Sequence, residues 1–209
     1  MTATRSHPAL RSGRAKITRA CTLIAFLLGC GAASAHTEAG AAGSGFTSGF
    51  LHPLMGPDHI VAMVAVGMWG AFLGSRATWT LPVIFPVVMA IGGALGVAGV
   101  HIPAVETGIA LSAVVLGIVV AFAARPPLWV AGVIVGIFAI FHGHAHGTEL
   151  PESANALSFA AGFVIATGLL HLCGIAFGLL VKWPWGKWAV RGGGAVIAGV
   201  GVCFLTGWL

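Results

Sequence analysis

The chain has 209 residues, of which 58% are hydrophobic and 7% charged, with 32 glycines and no tyrosine. An ordinary soluble domain carries roughly 25% charged residues, so the composition excludes one and points to an all-α membrane protein. The formal charge of +5 does not argue for a nucleic-acid partner, because Arg5, Arg11, Arg14, Lys16 and Arg19 supply half of the ten basic residues before position 20.

Those five residues begin the first predicted element, a cleavable bacterial signal peptide over residues 1–35. A basic stretch is followed by an apolar run over 21–29 and a small-residue exit at Ala33-Ser34-Ala35. A lipoprotein reading with Cys30 acylated fits less well, since leucine stands directly before Gly29. Once the peptide is removed, Arg76, Arg125, Lys182, Lys187 and Arg191 balance Glu38, Asp58, Glu106, Glu149 and Glu152, so five minus five leaves zero. Nucleic acid is therefore rejected as a partner, and the lipid bilayer remains. Cys173 and Cys203 read as small buried hydrophobes with no disulfide framework.

Residues 36–209 are expected to form a single domain of six transmembrane helices, because a span needs about 20 largely apolar residues. The predicted spans are 46–73, 81–100, 103–124, 128–146, 157–181 and 187–208. The first contains His52-Pro53-Leu54-Met55-Gly56-Pro57-Asp58-His59. On an unbroken helix His52 and His59 would lie about 10.5 Å apart along the axis, too far for one ion. Proline removes helix hydrogen bonds and disfavours helical backbone in the residue before it. A broken first helix is thus predicted, drawing His52, Asp58 and His59 toward one polar pocket. Ionisable groups at membrane depth are expensive and usually mark a substrate path. Imidazole with a carboxylate suits a first-row transition metal.

In the second span Pro86 is a candidate kink, and Gly92 and Gly96, like Gly132 and Gly136 in the fourth, have the small-xxx-small spacing of closely packed helices. The fourth span is apolar for only 14 residues, 128–141, and must finish on His142-Gly143-His144-Ala145-His146-Gly147-Thr148-Glu149. His142, His146 and Glu149 share a helix face at spacings of four and three. His144 points elsewhere and has a weaker claim, as does His171 in the fifth span, where a packing role is equally reasonable. His36 would offer an amine and an imidazole if cleavage follows Ala35. Basic residues fall in every second connection, which places the mature N-terminus in the periplasm and both chain ends outside.

The pattern His52-Pro53-x-x-Gly56-x-Asp58-His59, continuing into Ala62-Met63 and Val66-Gly67-x-Trp69, together with Phe141-His142-Gly143-x-Ala145-His146-Gly147-x-Glu149, resembles the HupE/UreJ permeases associated with nickel supply to hydrogenase and urease. The resemblance covers the whole chain. It implies six helices in the bacterial inner membrane, no enzymatic activity and no permanently bound cofactor, with Ni2+, or Co2+ in some members, as transported substrate. It also implies functional importance for His52, Asp58, His59, His142, His146 and Glu149. The signature of the nickel/cobalt transporters differs, because here five residues separate His52 from Asp58.

The resulting expectation is import of Ni2+ along a path that begins at external His142, His146 and Glu149 and then passes His52, Asp58 and His59. Alternatives are a cobalt transporter and an intramembrane metal-dependent hydrolase. The hydrolase reading is weakened because Gly143 stands where the H-E-x-x-H order requires a glutamate.

Overall fold

The computed structural model describes residues 45–149 and 156–208; the expected signal peptide, His36 and Glu152 lie outside them. Among the described residues the chain is wholly helical: α1 Gly45–Met55, α2 Pro57–Leu73, α3 Ser75–Val97, α4 Val105–Ala121, α5 Leu128–Thr148, α6 Ala156–Gly178 and α7 Pro184–Leu205, with a 3₁₀ turn at Leu179–Lys182 before α7.

The expected break in the first span falls at Gly56, where α1 and α2 meet at 81°. Gly56 is extended, with φ −94 and ψ 105, as proline demands of the residue preceding it. Pro57 then occupies the first turn of α2, where its missing N–H costs nothing. By length and apolarity, α3, α5, α6 with its 3₁₀ turn, and α7 can each cross a bilayer, and the bent α1–α2 pair makes a fifth. The apolar α4 has 17 residues.

The second helix of the expected series begins earlier than its apolar run suggested. It starts at Ser75, so Pro82 and Pro86 both lie inside it and Arg76 sits in its first turn. Only Gly74, at φ 116, joins it to α2, a conformation that glycine adopts without steric cost. The apolar stretch under-read this boundary because Arg76 and Thr78 interrupt it. Thr78 instead donates its hydroxyl to the Gly74 carbonyl at 2.9 Å.

Glycines govern the crossings, though not all of those expected. Gly92 and Gly96 bring α3 against the backbone of α5 at Ile140 and His144. On α5 the partners are Gly143 and Gly147, against Met89 and Gly93, whereas Gly132 and Gly136 meet only side chains of Ile84 and Val88. Likewise Gly67 and Gly174 join α2 to α6, and Gly117, Gly194 and Gly201 join α4 to α7. Between these crossings Trp69, Phe85, Met63, Met68, Leu81 and Leu116 are fully enclosed.

The outward faces are apolar too. Trp79, Val83, Val87 and Ile91 form an exposed stripe along α3, and Trp129, Val133 and Ile137 form another along α5. Such patches would aggregate in water and are natural against lipid. Cys173 is exposed and Cys203 half-buried, so neither is the buried small hydrophobe expected; both sit on outward-facing helix surfaces instead.

Candidate metal site

Asp58 opens α2 and carries its negative charge at the helix N-terminus, where unpaired backbone N–H groups favour it. Its Oδ1 accepts the backbone N–H of His59 at 2.9 Å and the His59 Nδ1–H at 3.0 Å. A carboxylate that takes the Nδ1 proton of an imidazole fixes the tautomer and leaves Nε2 with a free lone pair. Consistent with this, His59 Nε2 is buried and has no hydrogen-bond partner among the described residues.

His142 is arranged in a parallel way by its own helix. Its Nδ1–H donates to the Phe138 carbonyl one turn back, at 2.9 Å. The side chain is fully buried, and its Nε2 also lacks a partner among the described residues. Buried polar atoms are almost always satisfied. Here two neighbouring imidazoles each present a buried ring nitrogen without a partner among the described residues, as His144 Nδ1 and His171 Nε2 do elsewhere.

The rings themselves are in contact. His59 lies 4.4 Å from His146 and 4.8 Å from His142, centroid to centroid. His52, on the far side of the Gly56 break, reaches His146 with Nε2 2.9 Å from Nδ1. This contact is a hydrogen bond, with one ring donating to the other; an ion taking the place of its hydrogen would leave the two nitrogens near the roughly 3 Å spacing of adjacent ligands at about 2.1 Å. Glu149 Oε2 lies 3.9 Å from His52 Nε2. Donor atoms of His52, His146 and Glu149 all fall within 4.8 Å of one another, which a contraction of well under 1 Å would bring to ligand spacing.

The structure thus gathers His52, Asp58, His59, His142, His146 and Glu149 around one place. The sequence suggested two successive stations; instead the rings of His142 and His146, from the end of α5, reach the histidines on either side of the α1–α2 break. His142, read from sequence as near the external surface, is enclosed. The remaining candidates stand apart. His144 faces away, with Nε2–H donating to the Val100 carbonyl at 2.7 Å, and ties the 98–104 connection to α5. His171 is buried behind Phe85, whose ring lies 5.4 Å from His142 and 5.7 Å from His171.

Sequence reasoning missed the aromatic walls. Phe163 packs edge-on to His146 at 4.5 Å and Phe159 to His52 at 5.7 Å, while Phe85 backs His142. Phenylalanine in an apolar helix carries no signal separating a wall of a site from ordinary core. These rings exclude water and lower the local dielectric, which strengthens any charge interaction inside.

The runner-up chemistry, hydrolysis, needs a general base one residue after the first histidine of the pair. Position 143 does not face the site. A side chain there would run into the Met89 carbonyl of α3, so packing accounts for its glycine.

Two comparisons with known proteins bear on this geometry. A family model described as HupE / UreJ protein matches residues 24–204. Protein HupE of Rhizobium leguminosarum bv. viciae is 46% identical over 173 residues, covering 83% of this chain and 91% of that protein. No solved structure matches.

Proposed function

Because the chain belongs to the HupE/UreJ family, a group of membrane accessory proteins tied to metal supply, we propose that it imports Ni2+ across the bacterial inner membrane for hydrogenase or urease maturation. One observation carries this reading: imidazoles from α1, α2 and α5 converge at a helix break, with buried Nε2 atoms on His59, His142 and His146 that have no partner among the described residues. Nitrogen donors with one or two carboxylates match the borderline first-row ions, and divalent nickel binds such sets more tightly than cobalt, iron or manganese. Uptake of radioactive nickel by proteoliposomes, with excess cobalt as competitor, tests it. Saturable nickel uptake supports the proposal; saturable cobalt uptake unaffected by nickel would assign the site to cobalt.

In this reading α4 joins the five longer candidates as a sixth crossing, since 17 residues rise about 25 Å, close to the thickness of a hydrocarbon core. Arg76, Arg125, Lys182, Lys187 and Arg191 then all occupy one side, the cytoplasm. Asp58, Glu106 and Glu149 lie at the opposite helix ends, and the mature N-terminus is periplasmic after removal of the signal peptide. Single cysteines placed at His101 and Lys187 in a cysteine-free background test the orientation. The first should react with an impermeant maleimide in intact spheroplasts, and the second only after permeabilisation. The reverse pattern would put the histidine cluster on the cytoplasmic side and remove the case for import.

A further inference from the structure

A polar cleft of about 500 Å³ opens between the Gly74 joint and the connection before α5, with Arg76 and Arg125 as its charged walls. It lies at the opposite end of the bundle from the histidine cluster. Asp58 and Glu149 stand at the far ends of α2 and α5, which reach this cleft at Leu73 and Leu128, and Glu106 stands at the far end of α4, each about 22 Å or more away at 1.5 Å per residue. Among the described residues no carboxylate therefore neutralises the pair. Arg191 offers a contrast: its Nε–H donates to the Ala121 carbonyl at 2.7 Å and its guanidinium stacks over Trp188. Arg125 is positioned without being neutralised, its guanidinium held 4.7 Å over the Phe72 ring.

Further features favour an anion here. Helices α3 and α5 both begin at the cleft, behind Gly74 and Pro127, and their N-terminal N–H groups offset the carbonyl end of α2 at Leu73. Exposed Trp79 and Trp129 lie within a turn of the arginines, and exposed tryptophan marks the headgroup level of a bilayer. Beyond them the stripes Val83, Val87, Ile91 and Val133, Ile137 run away from the cleft along the lipid-facing surface.

We propose that this cleft binds the phosphate of an anionic phospholipid, held between the Arg76 and Arg125 guanidinium forks, with the acyl chains lying along the two apolar stripes. A planar guanidinium pairs with phosphate oxygens through two parallel hydrogen bonds, which an ammonium cannot do. The stripes and tryptophans argue for a lipid over a soluble phosphate, because they provide surface only to a ligand with chains.

Purified full-length protein in detergent would be titrated separately with phosphatidylglycerol, phosphatidylcholine and inorganic phosphate, reading thermal stability and lipid retained by native mass spectrometry. Phosphatidylglycerol should be retained and should stabilise, while phosphatidylcholine and phosphate should do neither. The Arg76→Gln/Arg125→Gln double variant should bind phosphatidylglycerol at least tenfold more weakly, whereas Lys182→Gln/Lys187→Gln should bind as wild type. The Arg76→Lys/Arg125→Lys protein, which keeps both charges and serves if the glutamine pair does not fold, should still lose several-fold. Unchanged binding in either arginine variant overturns the site, and equal stabilisation by inorganic phosphate overturns its assignment to lipid. Nickel binding at the distant histidines is a separate readout, so failure here leaves the transport reading intact.

Discussion

His146→Ala should abolish nickel uptake, lowering it by more than about a hundredfold, while membrane insertion and yield stay near wild type. Outer-shell partners of metal ligands alone are worth roughly 10–100-fold, and His146 stands at the centre of the donor set. It is 2.9 Å from the His52 nitrogen, in ring contact with His59, and backed by Phe163. Removing it separates the α1 donor from the α2 donor. Asp58→Asn should come close in severity, because it keeps the shape but replaces a carboxylate with an amide that neither neutralises the ion nor holds the Nδ1 proton of His59 as firmly. His144→Ala should cost far less, as its ring serves the Val100 carbonyl. Uptake assays on the three variants, normalised to inserted protein, decide the matter. Wild-type uptake in His146→Ala would sink the single-cluster reading, and His144 as the most sensitive of the three would show that the end of α5 is not helical during transport.

Gly143→Val should be among the most damaging substitutions outside the donor set, and its damage should be structural. Any Cβ at this position meets the Met89 carbonyl, the backbone of α3, at well under van der Waals separation. A carbonyl on a regular helix cannot swing aside as a side-chain tip can, so α3 and α5 must move apart. Overpacking in well-packed interiors costs about 1–3 kcal/mol, and a backbone clash falls at the upper end or beyond. Gly93→Ala, directly across the same crossing, is the control: its added methyl would come no closer than 3.4 Å to the Gly143 carbonyl and should be tolerated. A lower melting temperature and yield for Gly143→Val than for Gly93→Ala is expected. Equal behaviour would mean that this crossing does not set the helix spacing.

The donor set was legible because histidine and aspartate are conspicuous in apolar helices, and the break was legible because Gly56-Pro57 has few conformational options. What could not be read was the union of the two motifs. Positions 52–59 and 142–149 are linked by no periodicity, and only the tertiary fold, through side chains reaching across from α5, brings His146 onto both His52 and His59. The glycines misled for a related reason. Gly132 and Gly136 have the same spacing as Gly143 and Gly147, and sequence spacing does not reveal which pair lies where two helices touch. The onset of α3 was obscured because polar Arg76 and Thr78 resemble a loop, whereas in the fold they form a helix start beside a single glycine.

That single glycine has a counterpart at Gly56, and together they leave the stretch from Gly45 to Val97 without slack. Three helices follow one another with one residue between each pair. Each joint's single pair of backbone angles sets how its two helices meet, so an added residue at either would re-aim everything beyond it, swinging His59 away from His52 or Arg76 away from Arg125. Chain length is consequently fixed at these two points as firmly as residue identity is fixed at the histidines. Tags and insertions belong instead in the longer 98–104 connection, where several residues can share the adjustment.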